Sequence, residues 1–343
     1  MIRCVIMPLR LSAVRAPKIP RGEEYDTVIV GAGPAGLSAA IYTTRFLMST
    51  LIVSMDVGGQ LNLTNWIDDY PGMGGLEASK LVESFKSHAE MFGAKIVTGV
   101  QVKTVDRLDD GWFLVRGSRG LEVKARTVIL AVGSRRRKLG VPGEAELAGR
   151  GVSYCSVCDA PLFKGKDAVV VVGGGDSALE GALLLSGYVG KVYLVHRRQG
   201  FRAKPFYVEE ARKKPNIEFI LDSIVTEIRG RDRVESVVVK NKVTGEEKEL
   251  RVDGIFIEIG SEPPKELFEA IGLETDSMGN VVVDEWMRTS IPGIFAAGDC
   301  TSMWPGFRQV VTAAAMGAVA AYSAYTYLQE KGLYKPKPLT GLK

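Results

Sequence analysis

Two of the four cysteines, Cys155 and Cys158, stand three positions apart in the stretch YCSVCDAP. This spacing brings both sulfurs to one helical turn, and a helix N-terminus stabilises a thiolate. The pair could form a reducible disulfide, half of a zinc site or a structural bridge, or it could be a coincidence of composition. A zinc site needs about four ligands, and the chain adds only His88 and His196. Zinc is therefore disfavoured, and no metal site is predicted.

A glycine-rich turn, GAGPAG, follows the β-branched stretch Tyr25–Val30 and precedes residues with helical spacing and a second strand at Thr50–Ser54. Strand, turn, helix and strand make a βαβ unit whose turn binds the pyrophosphate of a dinucleotide through backbone N–H groups. Asp56 stands twenty residues past the last glycine, where an acid accepts a ribose hydroxyl. This turn, called the first cradle below, consists of Gly31, Ala32, Gly33, Pro34, Ala35 and Gly36.

A second βαβ unit follows, with the strand Asp167–Val172, the turn GGGDSA and a further strand at Lys191–Val195. Its third small residue is Ala178, which the dinucleotide fingerprint permits. We call this turn the second cradle, and its predicted nucleotide contacts are Gly173, Gly175, Asp176 and Ser177. No acid ends the second strand; the basic residues there favour a 2′-phosphate, hence NADPH. They are His196, Arg197, Arg198 and Arg202.

Composition narrows the class of protein. A chain of 343 residues is expected to form two domains, and its net charge of +4 gives no sign of nucleic-acid binding. Few cysteines argue against a secreted disulfide framework and favour a cytoplasmic protein. Residues 1–24 are basic and are predicted to form a disordered arm. The apolar stretch Val310–Leu328 is rich in alanine, so a buried helix is predicted and not a membrane span.

Several motifs recur in a fixed order from residue 25 to about residue 330. They are GAGPAG, GGQL at 58–61, YPG at 70–72, CSVCD at 155–159, GGGDSALEGA at 173–182, HRRQGFR at 196–202, GIFAAGD at 293–299 and RQ at 308–309. The chain thereby resembles the low-molecular-weight thioredoxin reductases, which are flavoprotein disulfide reductases of bacteria and archaea. Only ten residues are Asn or Gln, which favours an archaeal or thermophilic source.

The resemblance implies an α/β fold of two Rossmann-like dinucleotide-binding domains, with the NADPH domain inserted into a discontinuous FAD domain. The predicted boundaries are an arm at 1–24, FAD segments at 25–134 and 263–343, and an NADPH domain with the CxxC at 135–262. The joins fall near Gly133–Arg137 and Gly260–Pro264, which are rich in turn formers. A strand at Val281–Asp284 is expected before GIFAAGD.

The resemblance also implies which residues bind FAD beyond the first cradle, with Asp299 meeting the ribityl chain of the flavin. These residues are Asp56, Gly59, Gln60, Leu61, Thr64, Val100, Gly133, Gly298, Asp299, Arg308, Gln309 and Val310. One departure concerns Asp69, since the family usually places Asn there, before an aromatic residue and PG. A flavin contact through that position is not expected in this chain.

The activity implied is that of a thioredoxin reductase. Hydride passes from NADPH to FAD and then to the Cys155–Cys158 disulfide, with Cys158 facing the flavin and Cys155 exchanging with the partner. Asp159 is placed to act as the general acid for the leaving thiolate. Because the CxxC and the NADPH cradle share one domain yet must both reach one flavin, a domain rotation is expected.

The family resemblance further implies a homodimer and a thioredoxin-like dithiol protein as partner. Two alternatives stay open: a reductase of another small dithiol protein, such as a glutaredoxin-like one, and an NADPH oxidase-type flavoprotein. The oxidase would need both cradles but not the cysteines.

Overall fold

The computed structural model describes residues 19–334, except 64, 65, 68 and 74. The strands are β1 (Arg21–Val30), β2 (Thr50–Val53), β3 (Trp66–Ile67), β4 (Leu76–Glu77), β5 (Lys95–Val97), β6 (Val102–Arg107), β7 (Phe113–Gly117), β8 (Glu122–Leu130), β9 (Arg135–Arg136), β10 (Val152–Ser153), β11 (Ala168–Gly173), β12 (Lys191–Val195), β13 (Ile217–Ile220), β14 (Ser223–Arg229), β15 (Ser236–Asn241), β16 (Glu247–Arg251), β17 (Gly254–Glu258), β18 (Ser261–Glu262) and β19 (Ile294–Ala296). The helices are α1 (Pro34–Arg45), α2 (Ala78–Met91), α3 (Ser156–Asp159), α4 (Asp176–Leu185), α5 (Pro205–Lys213), α6 (Lys265–Ile271) and α7 (Val310–Glu330), with 3-10 turns at Gly59–Leu63, Ser118–Gly120 and Ala160–Phe163.

One sheet combines segments from both ends of the chain. Its strands lie in the order β5-β2-β1-β8-β7-β6, and β19 joins β8 through the register Val128–Leu130 to Ile294–Ala296. The strands β5, β2, β1, β8 and β19 are parallel, and β7 and β6 are antiparallel additions. The second half of β1, Thr27–Val30, and all of β2 are buried on both faces, as helix-covered parallel strands are.

The residues between these segments form a second parallel sheet, β10-β17-β11-β12-β13, beside a three-stranded antiparallel sheet, β14-β15-β16. The short strands β9 and β18 pair antiparallel and join this region to the first one. The predicted fold, two Rossmann-like domains with one inserted into the other, is confirmed.

Two details differ from the predicted elements. Arg21–Glu24 belong to β1, pairing with β8, although the arm was predicted to reach residue 24; residues 1–18 lie outside the described part. Val281–Asp284 is not a strand, since only Val281 forms isolated bridges, to Thr275 and Thr301. The reason is the side chain of Asp284, which accepts the N–H groups of the next turn and ends the extended stretch.

The alanine-rich stretch near the C-terminus forms α7, which packs across α1. A Cβ atom on Gly317 would lie 2.1 Å from the carbonyl oxygen of Ala35, so the two helix backbones approach closely there. The hydroxyl of Ser38 donates to the carbonyl of Ala314 over 2.7 Å. This contact fixes the C-terminal segment against the first cradle.

Candidate functional site

The first cradle lies at the carboxyl end of β1. Gly31 has a φ of 107°, and a Cβ there would meet the carbonyl oxygen of Ala131 at 2.2 Å. A Cβ on Gly36 would lie 1.9 Å from the carbonyl oxygen of Gly31. Gly33 is different, because the nearest atom to its Cβ would be 3.9 Å away. The first and third glycines are therefore required by the fold, whereas the second leaves open space for a phosphate.

The helix α1 begins directly in this cradle. Gly33 is its N-cap, with Pro34 at the first helical position, where its missing N–H costs no bond. Ala35 is buried. The N–H groups of the first turn thus face the open space beside Gly33, which is the arrangement that binds a pyrophosphate.

Segments distant in the chain close the first cradle. The side-chain amide of Gln60 donates to Asp299 Oδ2 over 2.8 Å and to Ser134 Oγ over 3.2 Å. Burial raises the pKa of Asp299, while the nearby guanidinium of Arg308 lowers it. The structure therefore brings together Gln60 and Asp299, two of the residues that the family resemblance assigns to the flavin.

Arg308 points into the same region. It donates to Asn280 Oδ1 over 2.9 Å and to the hydroxyl of Ser261. Its Nε is buried and has no hydrogen-bond partner among the described residues. Burial lowers the pKa of this guanidinium, and Asp299 raises it. A buried donor without a partner fits a site whose remaining acceptor belongs to a bound cofactor.

The other predicted flavin residues divide into two groups. Gly298 has a φ of 80°, and its Cβ would lie 3.0 Å from that of Ala35, so it too borders the first cradle. Gln309 caps α7 through a capping box with Thr312, and Val310 begins that helix. These residues lie on the turn and helix that close the cradle.

The described residues of the second group lie in apolar cores, at the surface or in a loop. Leu61 and Val100 are buried in apolar cores, where their side chains pack against other apolar residues. Asp56 is exposed and accepts the N–H of Gly59 over 3.1 Å. Gly133, with a φ of 60°, has no atom within 4 Å of its missing Cβ. Thr64 lies outside the described residues.

The second cradle repeats the geometry at the carboxyl end of β11. A Cβ on Gly173 would lie 2.3 Å from the carbonyl oxygen of Glu258, whereas Gly175 has no atom within 4 Å. Asp176 and Ser177 begin α4. Asp176 accepts the N–H of Lys204 over 2.8 Å, so it fixes the loop over the cradle.

The basic residues after β12 separate into one buried and three exposed side chains. His196 is 8% exposed; its ring stacks on Phe201, with centroids 4.9 Å apart, and would overlap a Cβ on Gly174. Burial lowers the pKa of His196. Arg197, Arg198 and Arg202 are exposed. The imidazole thus supports the turn, and the arginines are the side chains available to a 2′-phosphate.

Cys155 and Cys158 form a disulfide at the start of α3. Cys155 is the N-cap residue, and its sulfur accepts the N–H of Cys158 over 3.2 Å. Asp159 ends this helical turn and is buried, and its Oδ2 accepts the hydroxyl of Ser153 over 2.7 Å. The same Ser153 oxygen accepts the N–H of Cys155 over 3.1 Å. One serine therefore holds both ends of the redox turn.

The disulfide turn faces the FAD segments. Helix α3 lies against β3, and a cavity of about 160 Å³ beside Asp159 is lined by Leu63 and by residues of the inserted region. The hydroxyl of Tyr154 donates to Glu144 over 2.9 Å, and Glu144 also accepts the N–H groups of Leu139 and Gly140. This buried carboxylate ties the residue before Cys155 to the segment after β9.

Sequence reasoning missed Glu258, a buried carboxylate at the end of β17. Its Oε1 accepts the N–H of Ser156 over 2.8 Å and its hydroxyl over 2.9 Å. Its Oε2 lies 4.0 Å from Arg136 Nη1. The available signal was an acid ending the apolar stretch GIFIE, where a hydrophobic residue is the rule for a buried parallel strand.

Among the described residues of 19–334, no group of three or more His, Cys, Asp or Glu side chains is placed to hold a metal ion. No helix of that part has the length and apolarity that a bilayer crossing requires.

Comparison with known proteins defines the family. The model of the family "Pyridine nucleotide-disulphide oxidoreductase" matches residues 25–317. The thioredoxin reductase of Bacillus subtilis is 42% identical over 308 residues, which cover 89% of this chain and 95% of that relative. Similar curated relatives come from Listeria species. The expected archaeal source is not borne out by these bacterial relatives.

Two solved structures extend the comparison to the fold. The thioredoxin reductase of Streptococcus pyogenes is 38% identical, with a TM-score of 0.82, covering 90% of this chain and 100% of that chain. The Lactococcus lactis thioredoxin reductase in its FR conformation is 40% identical, with a TM-score of 0.64, covering 89% and 99%. The chain therefore belongs to the pyridine nucleotide-disulphide oxidoreductase family and groups with its thioredoxin reductases.

Proposed function

We propose that this protein is an NADPH-dependent thioredoxin reductase. The observation that carries the proposal is the Cys155–Cys158 disulfide, whose helical turn α3 lies beside β3 of the FAD segments while sharing a domain with the second cradle. A reducible pair between two nucleotide cradles gives electrons a route from a pyridine nucleotide to an external disulfide. An NADPH oxidase would leave this pair without a role.

The cofactors are FAD and NADPH. The open space beside Gly33, the Gln60–Asp299 pair and the unpartnered Nε of Arg308 fit FAD in the first cradle. The space beside Gly175 and the exposed Arg197 and Arg198 fit NADPH in the second. When bound, the flavin supplies a two-electron carrier between nicotinamide and disulfide.

The residues around the disulfide handle the proton and the exchange. When the S–S bond breaks, one sulfur leaves as a thiolate, and Asp159 is the carboxyl group of the same turn that delivers a proton. Ser153 orients Asp159 through their 2.7 Å bond. Cys155, at the helix N-cap, attacks the disulfide of the partner, and Cys158 then resolves the mixed disulfide.

A rotation of the inserted domain about β9 and β18 completes the cycle. These two-residue strands are the antiparallel pair between the two regions, and a short pair of this kind permits hinge motion. The Streptococcus and Lactococcus structures have nearly the same sequence identity to this chain, 38% and 40%, but their TM-scores differ, at 0.82 and 0.64. Two domains whose relative orientation varies account for such a difference.

The proposal includes a homodimer in the cytoplasm. A groove of about 550 Å³ lies between α1, α2 and α7; its lining is mainly aromatic and small apolar side chains, including Tyr42, Tyr70 and Phe85, with Arg45 and His88 also in the wall. An apolar groove bordered by an exposed tyrosine suits a second copy of the chain. A dithiol that NADPH keeps reduced belongs in a reducing compartment.

The test uses Cys158→Ser in the FAD-loaded enzyme. We expect NADPH-dependent reduction of thioredoxin to be lost, while reduction of a dye that takes electrons directly from the flavin continues. Cys4→Ser, which alters a cysteine outside the pair, serves as the control and keeps both activities. Normal thioredoxin reduction by Cys158→Ser contradicts the proposal. Reduction of a glutaredoxin but not of thioredoxin by the unaltered enzyme would reassign the partner.

A further inference from the structure

A second buried carboxylate, besides that of Asp159, contacts the disulfide turn. Glu258 is 8% exposed, and one of its oxygens accepts both hydrogen bonds that Ser156 donates. Ser156 is the residue between Cys155 and Val157, and its N–H is the first of α3. The turn that carries both sulfurs is thus anchored at its first peptide to the end of β17.

Neighbouring residues leave room for this contact and place a positive charge near it. A Cβ on Gly181 of α4 would lie 2.4 Å from the hydroxyl oxygen of Ser156, so the glycine leaves room for that hydroxyl. On the other side, Arg136 of the hinge strand β9 lies 4.0 Å from Glu258 Oε2 and is largely buried. Burial raises the pKa of Glu258, and the nearby Asp159 adds to that effect, whereas Arg136 and the two bonds from Ser156 act in the opposite direction and stabilise the carboxylate.

We propose that Glu258 is a positioning residue that sets the reduction potential of the Cys155–Cys158 pair. It acts through Ser156, by holding the first peptide of α3 and by placing a negative charge beside the turn in which a thiolate forms. This inference rests on the redox cycling of the pair under the proposed function.

Electrostatics gives the direction in which Glu258 shifts the reduction potential of the pair. The first N–H groups of a helix stabilise an anion, and a thiolate at the N-cap benefits from them. Here the N–H of Ser156 is already bound by a carboxylate, and a second negative charge nearby disfavours the thiolate. Glu258 therefore destabilises the reduced, ionised pair and makes it a stronger reductant. A reductase that passes electrons to another disulfide benefits from this shift.

The test measures the disulfide equilibrium directly. FAD-loaded protein is equilibrated with mixtures of reduced and oxidised dithiothreitol, and free thiols are then alkylated and counted by mass spectrometry. In this reaction the S–S bond of the protein breaks, two electrons come from dithiothreitol, which closes to its cyclic disulfide, and protons exchange with solvent. We expect Glu258→Gln to increase the equilibrium constant for reduction about tenfold, which corresponds to about +30 mV for a two-electron couple.

Two further variants separate charge from structure. Ser156→Ala removes one of the two bonds to Glu258 and should increase the equilibrium constant by less, about threefold. Glu218→Gln removes an equal charge from β13, where it pairs with Lys191 at 2.9 Å, and should leave the constant unchanged. The pKa of the Cys155 thiol, read from the pH dependence of alkylation, should fall in Glu258→Gln.

An unchanged equilibrium constant in Glu258→Gln overturns the inference, as does an equal shift in Glu218→Gln. If Glu258→Gln does not fold, Ser156→Ala decides alone, and an unchanged constant in that variant overturns the inference. Failure of the proposed function is distinguishable, because it appears as absent thioredoxin reduction by the unaltered enzyme, whatever the dithiothreitol equilibrium shows.

Discussion

The two cradles share one backbone plan but differ in what surrounds them. In each, the first glycine has a carbonyl oxygen where its Cβ would stand, from Ala131 in one case and from Glu258 in the other. In each, the middle position, Gly33 or Gly175, borders open space. The repeated feature is thus the room for a phosphate beside a helix N-terminus.

The difference lies in the segments that close each cradle. The first is bordered by Gln60 and by Gly298 and Asp299, and α7 crosses its helix at Gly317. The second is bordered by the loop after β12, where the N–H of Lys204 donates to Asp176. A site closed by distant segments keeps its ligand, and a site closed by one local loop exchanges it. This accords with FAD as a resident cofactor and NADPH as a substrate.

Placing a methyl group in each cradle tests this difference and should give the largest effect. We expect Gly33→Ala to lower the FAD content of purified protein at least tenfold, because its Cβ occupies phosphate space and not protein space. Gly175→Ala should keep FAD and raise the KM for NADPH by about tenfold, a loss of roughly 1.4 kcal/mol. Absorbance of the bound flavin and steady-state kinetics measure the two outcomes.

The opposite assignment would appear as the reverse pattern, with FAD lost from Gly175→Ala. Thermal melting of both apo-proteins provides the control, since neither methyl group meets a protein atom within 3.4 Å outside its neighbours in the chain. A large fall in melting temperature in either variant would show that the space belongs to the fold.

Removing the exposed charges that follow β12, beside the second cradle, should weaken the binding of NADPH but not that of NADH. In the double variant with Arg197→Gln and Arg198→Gln, we expect the KM for NADPH to rise about tenfold or more, because charge-assisted bonds to the 2′-phosphate are lost. The KM for NADH should change little, since NADH lacks that phosphate. Kinetics with both nucleotides measure the ratio, and equal losses for the two would remove the phosphate-binding role.

The sequence predicts the positions of the cradles because each lies between a strand and a helix that are adjacent in the chain. The carbonyl oxygens that require glycine at 31 and 173 come from Ala131 and Glu258, which are distant in the chain. The Gln60–Asp299 bond joins residues 239 positions apart. The resemblance named each residue as a flavin contact but did not predict the bond between them. Local spacing contains no information about such a contact.

Two residues show where sequence reasoning is weakest. His196 was grouped with the neighbouring arginines by charge, but its ring packs against Gly174 and Phe201. Glu258 was missed because its role depends on Ser156, 102 positions earlier in the chain. In both cases burial decides the function of an ionisable side chain, and burial depends on tertiary packing that residue type does not reveal.

Helix packing around the cradles should respond less strongly. Gly317→Ala places a Cβ 2.1 Å from the backbone oxygen of Ala35, so α7 must move away from α1. We expect a loss of about 1–3 kcal/mol in the free energy of unfolding. Gly181→Ala meets only the side chain of Ser156, with Oγ at 2.4 Å and Cβ at 2.8 Å, and should cost less, about 1 kcal/mol, because a side chain yields more easily than the backbone. Chemical denaturation of the FAD-loaded variants measures both.

An equal or larger cost in Gly181→Ala would show that α3 is held more rigidly than the crossing of α1 and α7. It would also mean that the cradle with one local loop is not the more adaptable of the two.

The smallest predicted effect is a pH dependence that arises in the second cradle alone. Burial lowers the pKa of His196 below its ordinary value of 6.5, so the folded protein binds this proton less readily than the unfolded chain does. Stability must then fall as the pH decreases from about 6.5 towards the lowered pKa, and it gains nothing further from this group above pH 7.

His196→Gln removes that contribution, whereas carboxylates that titrate in the same range remain in every variant and cancel in the comparison. The decrease in melting temperature between pH 7.5 and pH 5 should therefore be smaller in His196→Gln than in the unaltered protein, by about 1–3 °C. His88→Gln, which changes the one other histidine of the chain, at an exposed position, should retain the full decrease. An identical decrease in all three proteins would mean that the imidazole at the second cradle accepts its proton freely, and that the turn opens more easily than the contact with Gly174 implies.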